Sequence, residues 1–214
     1  MNLVLSLLIL LSIFLIYYIY KLIKHKFDTF SIENNVLQQS NVDGKYYFVH
    51  KEHGNMQIAA DLFAKIDGLV SLFLPYLYSK YSNSENKRKK DIAKLLVSRY
   101  DTKSLRESSP LNIEKDTSYT INKGDIIAIC IRSGINYGIH DFQIIMFVVL
   151  HELTHLAINA YDHPEEFWQV FKFILEEAEI GGFYTSQNYS RNPSEYCGIN
   201  VHYNPRYDNS IESL

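Results

Sequence analysis

The chain opens on an apolar run. Leu3 to Tyr20 carries no charge and is interrupted only by Ser6 and Ser12. Its 18 residues, at about 1.5 Å each in a helix, reach about 27 Å, close to the hydrocarbon thickness of a bilayer. Tyr17, Tyr18 and Tyr20 end the run as interfacial aromatics, Lys21, Lys24 and Lys26 follow at once, and no Lys or Arg precedes it. The positive-inside rule then predicts a transmembrane anchor over 1–23, with the N-terminus outside and the main domain cytoplasmic. Bulky Tyr18-Ile19-Tyr20 stands where a cleaved signal would carry small residues, so the anchor is expected to be retained.

Residues 24–45 are polar, lack periodicity and read as a tether. Patterning resumes at Tyr46–His50, a short strand candidate. Asn55 caps a predicted helix whose apolar face is Ile58, Leu62, Ile66, Leu69, Val70 and Phe73, and Ile92–Tyr100 predicts a shorter one. Thr117–Ile121 and Asp125–Arg132 read as strands joined by the turn Asn122-Lys123-Gly124. Behind Asp141, an N-cap, Phe142 to Leu150 is apolar almost throughout, the signature of a buried helix. Phe167, Phe171, Ile174 and Ala178 mark the buried stripe of a further helix over 164–179. The tail beyond Gly181-Gly182 is aromatic and irregular. Helices around a small antiparallel sheet make 46–214 an α+β domain.

Net charge is −3 with acidic and basic residues intermixed, which gives no strong field for nucleic acid. The dense basic cluster Lys87-Arg88-Lys89-Lys90 lies in the polar stretch Ser82–Asp91 and reads as a solvated loop. Cys130 and Cys197 are too few for a disulfide framework. Cys130 is expected in the core and Cys197 in loop packing, both compatible with a reducing compartment. His50 and His53, close to the tether, are expected at the surface, and His140 as a capping or packing residue.

The chemistry concentrates in His151-Glu152-Leu153-Thr154-His155. Residues four apart share a helix face, so both imidazoles can reach one metal ion while Glu152 stands one residue round, free to act on water. This is the HExxH arrangement of zinc peptidases. Its place at the end of a buried helix strengthens the reading, because polar groups there need partners. A catalytic site takes a third protein ligand. His163 follows a segment in which Asn159 is a candidate left-handed helix stop, and Pro164 suits the first position of the next helix. The rival ligand, Glu176, falls about half a turn from Phe167 and reads as solvent-facing, which favours His163. A metzincin pattern fits poorly: Ile158 stands where its glycine would be, and Met1, Met56 and Met146 all precede the site.

His151-Glu152-Leu153-Thr154-His155 followed by His163-Pro164-Glu165-Glu166-Phe167-Trp168, with Asn122–Arg132 upstream, resembles the WLM-type (Wss1-like) zinc metallopeptidases, related to the SprT-like group. The likeness covers about 45–205. The gap between the second and third histidines is longer than the usual family spacing. The resemblance implies a zincin-like fold, Zn2+ held by His151, His155 and His163, and Glu152 as general base. It also implies protein or peptide substrates, and admits nucleic acid as a partner although the charge does not indicate it. The overall layout also resembles proteins of large DNA viruses. The expected function is that of a membrane-anchored zinc metalloendopeptidase; the alternative is a non-catalytic anchored protein with a structural or vestigial zinc site. An oxyanion donor is expected from the tail, where His202, Tyr203 and Arg206 stand, with nothing to select among them.

Overall fold

The computed structural model describes residues 11–19, 34–109 and 117–214. The chain divides into two units, Met1–Asn34 and Asn35–Leu214. In the first, residues 11–19 are helical (α1), with Leu11, Phe14, Ile16 and Tyr17 exposed. The transmembrane helix expected over 1–23 is not found: among the described residues no helix is long and apolar enough to cross a membrane. The described stretch of α1 reaches only about 14 Å at the helical rise, and the remainder of the expected segment lies outside the described residues. The single-pass topology, N-terminus outside and main domain cytoplasmic, rested on that span and falls with it.

The second unit is α+β, but its sheet is mixed, not antiparallel as expected. The strand order is β1 (Asn35–Gln39), β2 (Tyr46–His50), β3 (Leu105–Glu107), β5 (Ile126–Ile129), β4 (Tyr119–Ile121). The outer pairs β1·β2 and β4·β5 are antiparallel, while β2·β3 and β3·β5 are parallel. A parallel pair needs a crossover, and two helices between β2 and β3 supply one. Residues 35–39, expected within the tether, pair along their whole length with β2, from Asn35↔His50 to Gln39↔Tyr46. The β4–β5 connection is the expected turn, with Asn122, Lys123 and Gly124 all at positive φ. A Cβ on Gly124 would lie 2.6 Å from the Arg99 carbonyl oxygen, so only glycine fits there.

The crossover helices are α2 (Met56–Tyr81) and α3 (Lys87–Arg99). Asn55 caps α2 by accepting from the amides of Gln57 and Ile58, and Ala59, Phe63, Ile66, Val70, Phe73 and Leu77 form its buried stripe. Within that stripe Asp67 is fully buried and accepts from Lys45 Nζ (2.6 Å), Tyr100 Oη (2.8 Å) and Thr102 Oγ1 (2.8 Å), tying both ends of the crossover to α2. The basic cluster read as a loop is the first turn of α3. Its charges oppose the helix dipole, but the Asn86 cap and the buried stripe Ile92, Ala93 and Leu96 outweigh them.

Two further expectations change. Cys130 and Cys197 form a disulfide across 67 positions of sequence, because the tail hairpin β6 (Ser194–Tyr196)–β7 (Ile199–Val201) returns to the end of β5. His50 and His53 are buried, stacked 3.5 Å apart beside Tyr137 and the buried Arg132–Glu107 ion pair.

Candidate metal centre

Helix α4 (Phe142–Ala157) begins at Asp141, whose carboxylate accepts from the Gln143 amide at 2.8 Å. It is apolar on every side over its first turns and packs into the core, so its last turns carry His151, Glu152 and His155 at the boundary between core and surface. The helix stops at Ala157 because Ile158 turns extended. The left-handed residue of the following segment is Asp162, not Asn159, and Pro164 is the N-cap of α5 (Glu165–Ile180) and not its first residue, so the helix begins one residue later than expected.

That segment is held from outside. At the last residue of α3, Arg99 donates from Nη1 to the carbonyls of Leu156 (2.7 Å) and Ile158 (3.3 Å), and from Nη2 to Asn159 Oδ1 (2.8 Å). Lys123, on the β4–β5 turn, donates to the Ala160 carbonyl. The bond to Leu156 satisfies a last-turn carbonyl that has no partner within the helix, and the others hold the segment that leads to His163.

The result is a cluster. His151, His155 and His163 each offer a ring nitrogen, and the three atoms lie within 4.8 Å of one another. His151 Nε2 and His163 Nε2 are 3.0 Å apart, near the roughly 3.3 Å edge of a tetrahedron with ~2.05 Å metal–nitrogen bonds. Among the described residues this is the single group of three or more His, Cys, Asp or Glu side chains able to hold an ion. Burial pushes the His151 pKa down to about 3, helped by the two neighbouring imidazoles. Burial, then His163 and Lys123, pushes His155 down to about 4. Both rings are therefore neutral at pH 7 with lone pairs available, the state a metal requires. An all-imidazole donor set suits zinc among the common biological ions. Phe167 supports the cluster from α5, its ring 4.5 to 4.8 Å from all three imidazoles, and Trp168 lies 5.7 Å from His163.

Glu152 is buried on the neighbouring face and accepts from Thr120 Oγ1 on β4 at 2.8 Å. Glu176 is elsewhere, bonded by Ser213 and 3.7 Å from Arg206. Each of the three tail candidates for an oxyanion donor has a partner: His202 the Asn200 carbonyl, Tyr203 Asp208, and Arg206 Glu179. The Tyr203 ring lies 5.4 Å from Trp168, which stands beside His163. His140 packs, accepting from the Cys197 amide at 3.1 Å. Sequence reasoning missed Thr120, Arg99 and Lys123. Thr120 lies 32 positions from Glu152 and Arg99 57 positions from Leu156, and no local periodicity encodes such pairings.

The WLM domain matches residues 89–210. An uncharacterised protein of Acanthamoeba polyphaga mimivirus is 32% identical over 75% of this chain and 79% of its own length. An uncharacterised protein of Invertebrate iridescent virus 3 is 36% identical over 41% of this chain and 53% of its own. A Schizosaccharomyces pombe protein named DNA-dependent metalloprotease WSS1 homolog 2 is 27% identical over 49% of this chain and 36% of its own. No solved structure matches the chain significantly.

Proposed function

We propose that this chain, which belongs to the WLM domain family, is a zinc-dependent peptidase whose metal is held by His151, His155 and His163 and whose general base is Glu152. One observation carries the reading: three imidazole nitrogens from α4 and the segment after it converge within 4.8 Å, beside a buried carboxylate on the same helix turn. When bound, zinc supplies an acidified water and a Lewis acid for the carbonyl oxygen. Glu152 takes a proton from the water as that water attacks the peptide carbonyl, then delivers it to the departing amine nitrogen. The neutral rings of His151 and His155 give up no proton when they bind the ion, so binding is not opposed by protonation near pH 7.

The substrate class is protein or peptide. The S. pombe relative is named as DNA-dependent; for this chain we assign no such requirement, because its net charge is −3 and part of its densest basic cluster is used internally. Arg88 bonds Gln169, and Lys89 lies over the Tyr81 and Phe173 rings. The test measures zinc content and hydrolysis of an unfolded protein substrate by the full chain, with and without added DNA. We expect one zinc per chain and hydrolysis that does not depend on DNA. Glu152→Gln is expected to keep the zinc and lose roughly 10²- to 10⁴-fold in kcat, the usual contribution of a general base. A Glu152→Gln variant as active as the wild type overturns the assignment.

A further inference from the structure

Strand β4 is one edge of the five-stranded sheet, and Thr120 on it and Ser118 just before it are fixed to two different parts of the fold. Ser118 sits in a closed ring of hydrogen bonds: the Cys130 amide donates to Ser118 Oγ (2.9 Å), Ser118 Oγ and Tyr196 Oη bond each other (2.7 Å), and Tyr196 donates to the Cys130 carbonyl. Tyr196 neighbours the Cys130–Cys197 disulfide, so β4, β5 and the tail hairpin are locked together at this point. Two residues on, with the same facing in an extended strand, Thr120 presents its hydroxyl to Glu152 Oε2 at 2.8 Å. The Glu152 carbonyl is 3.5 Å from the same hydroxyl, too long to compete.

We propose that Thr120 is a positioning residue for Glu152: its hydroxyl holds one carboxylate oxygen and thereby sets the plane in which the general base meets the water. The inference rests on the peptidase reading above. The reasoning is geometric. A glutamate reaches its carboxylate through three rotatable bonds, and a base acts only within hydrogen-bond reach of the proton it removes. Packing of α4 fixes the first of these bonds. The last, which rotates the carboxylate plane, is broad and nearly two-fold in its own preferences. A donor from a rigid strand removes that freedom, and a β-branched threonine is itself stiff about its first side-chain bond. Ser118, clamped by Tyr196 and Cys130, keeps the strand from shifting beneath it.

The test uses the full chain as wild type, Thr120→Val, Thr120→Ser, Glu152→Leu and the double variant Thr120→Val/Glu152→Leu. Valine keeps the shape and β-branching and removes the donor; serine restores the donor. Expected are a fall of about tenfold in kcat for Thr120→Val, equivalent to about 1.4 kcal/mol in the barrier, with KM within twofold and zinc content unchanged. Thr120→Ser is expected to recover most of the loss. Independently of turnover, thermal unfolding of the metal-free chains is expected to show non-additivity between Thr120→Val and Glu152→Leu, which removes the acceptor, the mark of a direct contact. Additive unfolding shifts, or a Thr120→Val enzyme with wild-type kcat, overturn the inference while leaving the peptidase reading intact. Equal losses for valine and serine also overturn it, since a donor would then not matter. A wild type that binds zinc and hydrolyses nothing overturns the peptidase reading, and this inference with it.

Discussion

Replacing Arg99 with alanine is expected to weaken zinc binding from a position that never touches the metal. The guanidinium makes two short bonds and one long one to residues 156–159, the stretch that leads from α4 to His163. A hydrogen bond from a charged donor contributes roughly 1.5–3 kcal/mol when buried, and less when solvent competes. Arg99 is half-buried and its bond to Asn159 is exposed, so the lower end applies, about 2 kcal/mol for the group. That energy holds the segment in its ligating course before the ion arrives. Lost preorganisation raises an apparent dissociation constant in inverse proportion to the fraction of chains still competent. The 2 kcal/mol therefore caps the effect at about 30-fold, and about tenfold is expected because Lys123 still holds the Ala160 carbonyl. Competition with a chelator of known affinity measures it, alongside unfolding of the metal-free chain to show that the fold persists. Arg99→Lys, which keeps the charge but cannot fork to two carbonyls, is expected to fall between. In a His163→Ala background Arg99→Ala is expected to add little, since the ligand it serves is gone. Zinc affinity within twofold of wild type for a folded Arg99→Ala chain refutes the reasoning.

His163→Ala is expected to lower zinc affinity strongly and Glu176→Ala to leave it unchanged; the reverse in the same chelator assay moves the third ligand to α5. Reducing the Cys130–Cys197 bond, or Cys197→Ser, is expected to lower stability by up to about 4 kcal/mol, the chain-entropy value for a loop of 67 residues. Urea unfolding with and without reductant reads this, and two free thiols in the unreduced protein would rule the bond out. His53 supplies a pH dependence. Burial first, then His50 and Arg132, pushes its pKa down to about 4 from an ordinary 6.5. Between those values the unfolded chain binds the extra proton and the folded one does not, so stability is complete above about pH 6.5 and falls as pH drops toward 4. The full shift corresponds to about 3 kcal/mol. His53→Phe keeps the stack on His50 and Tyr137 without the titration, and is expected to flatten the curve in that window; an unchanged slope counts against it.

What the sequence determined by itself was local. The histidine pair at i and i+4 with the glutamate between them, the Asp141 and Asn55 caps, and the glycine turn after β4 are encoded within a few residues, where helical phase and turn chemistry act directly. The apolar stripe of α5, Phe167, Phe171, Ile174 and Ala178, was equally legible and is buried. Tertiary structure decided whatever depends on distant segments meeting. The sheet is mixed because a two-helix crossover runs between β2 and β3, a length of chain that strand patterns do not count. The lysine-rich stretch became helix because its next turn buries Ile92 and Leu96, against the preference of its charges. Cys130 and Cys197 found each other only because the tail hairpin folds back on β5. The apolar N-terminal run shows the limit from the other side. Hydropathy and length alone gave it a bilayer to cross, yet among the described residues no helix is long and apolar enough to do so. For the candidate site the division is sharpest. The candidate ligands and the proposed base lie within 13 consecutive positions, but the contacts of Thr120 with Glu152 and of Arg99 with Leu156, Ile158 and Asn159 exist only once the core has packed.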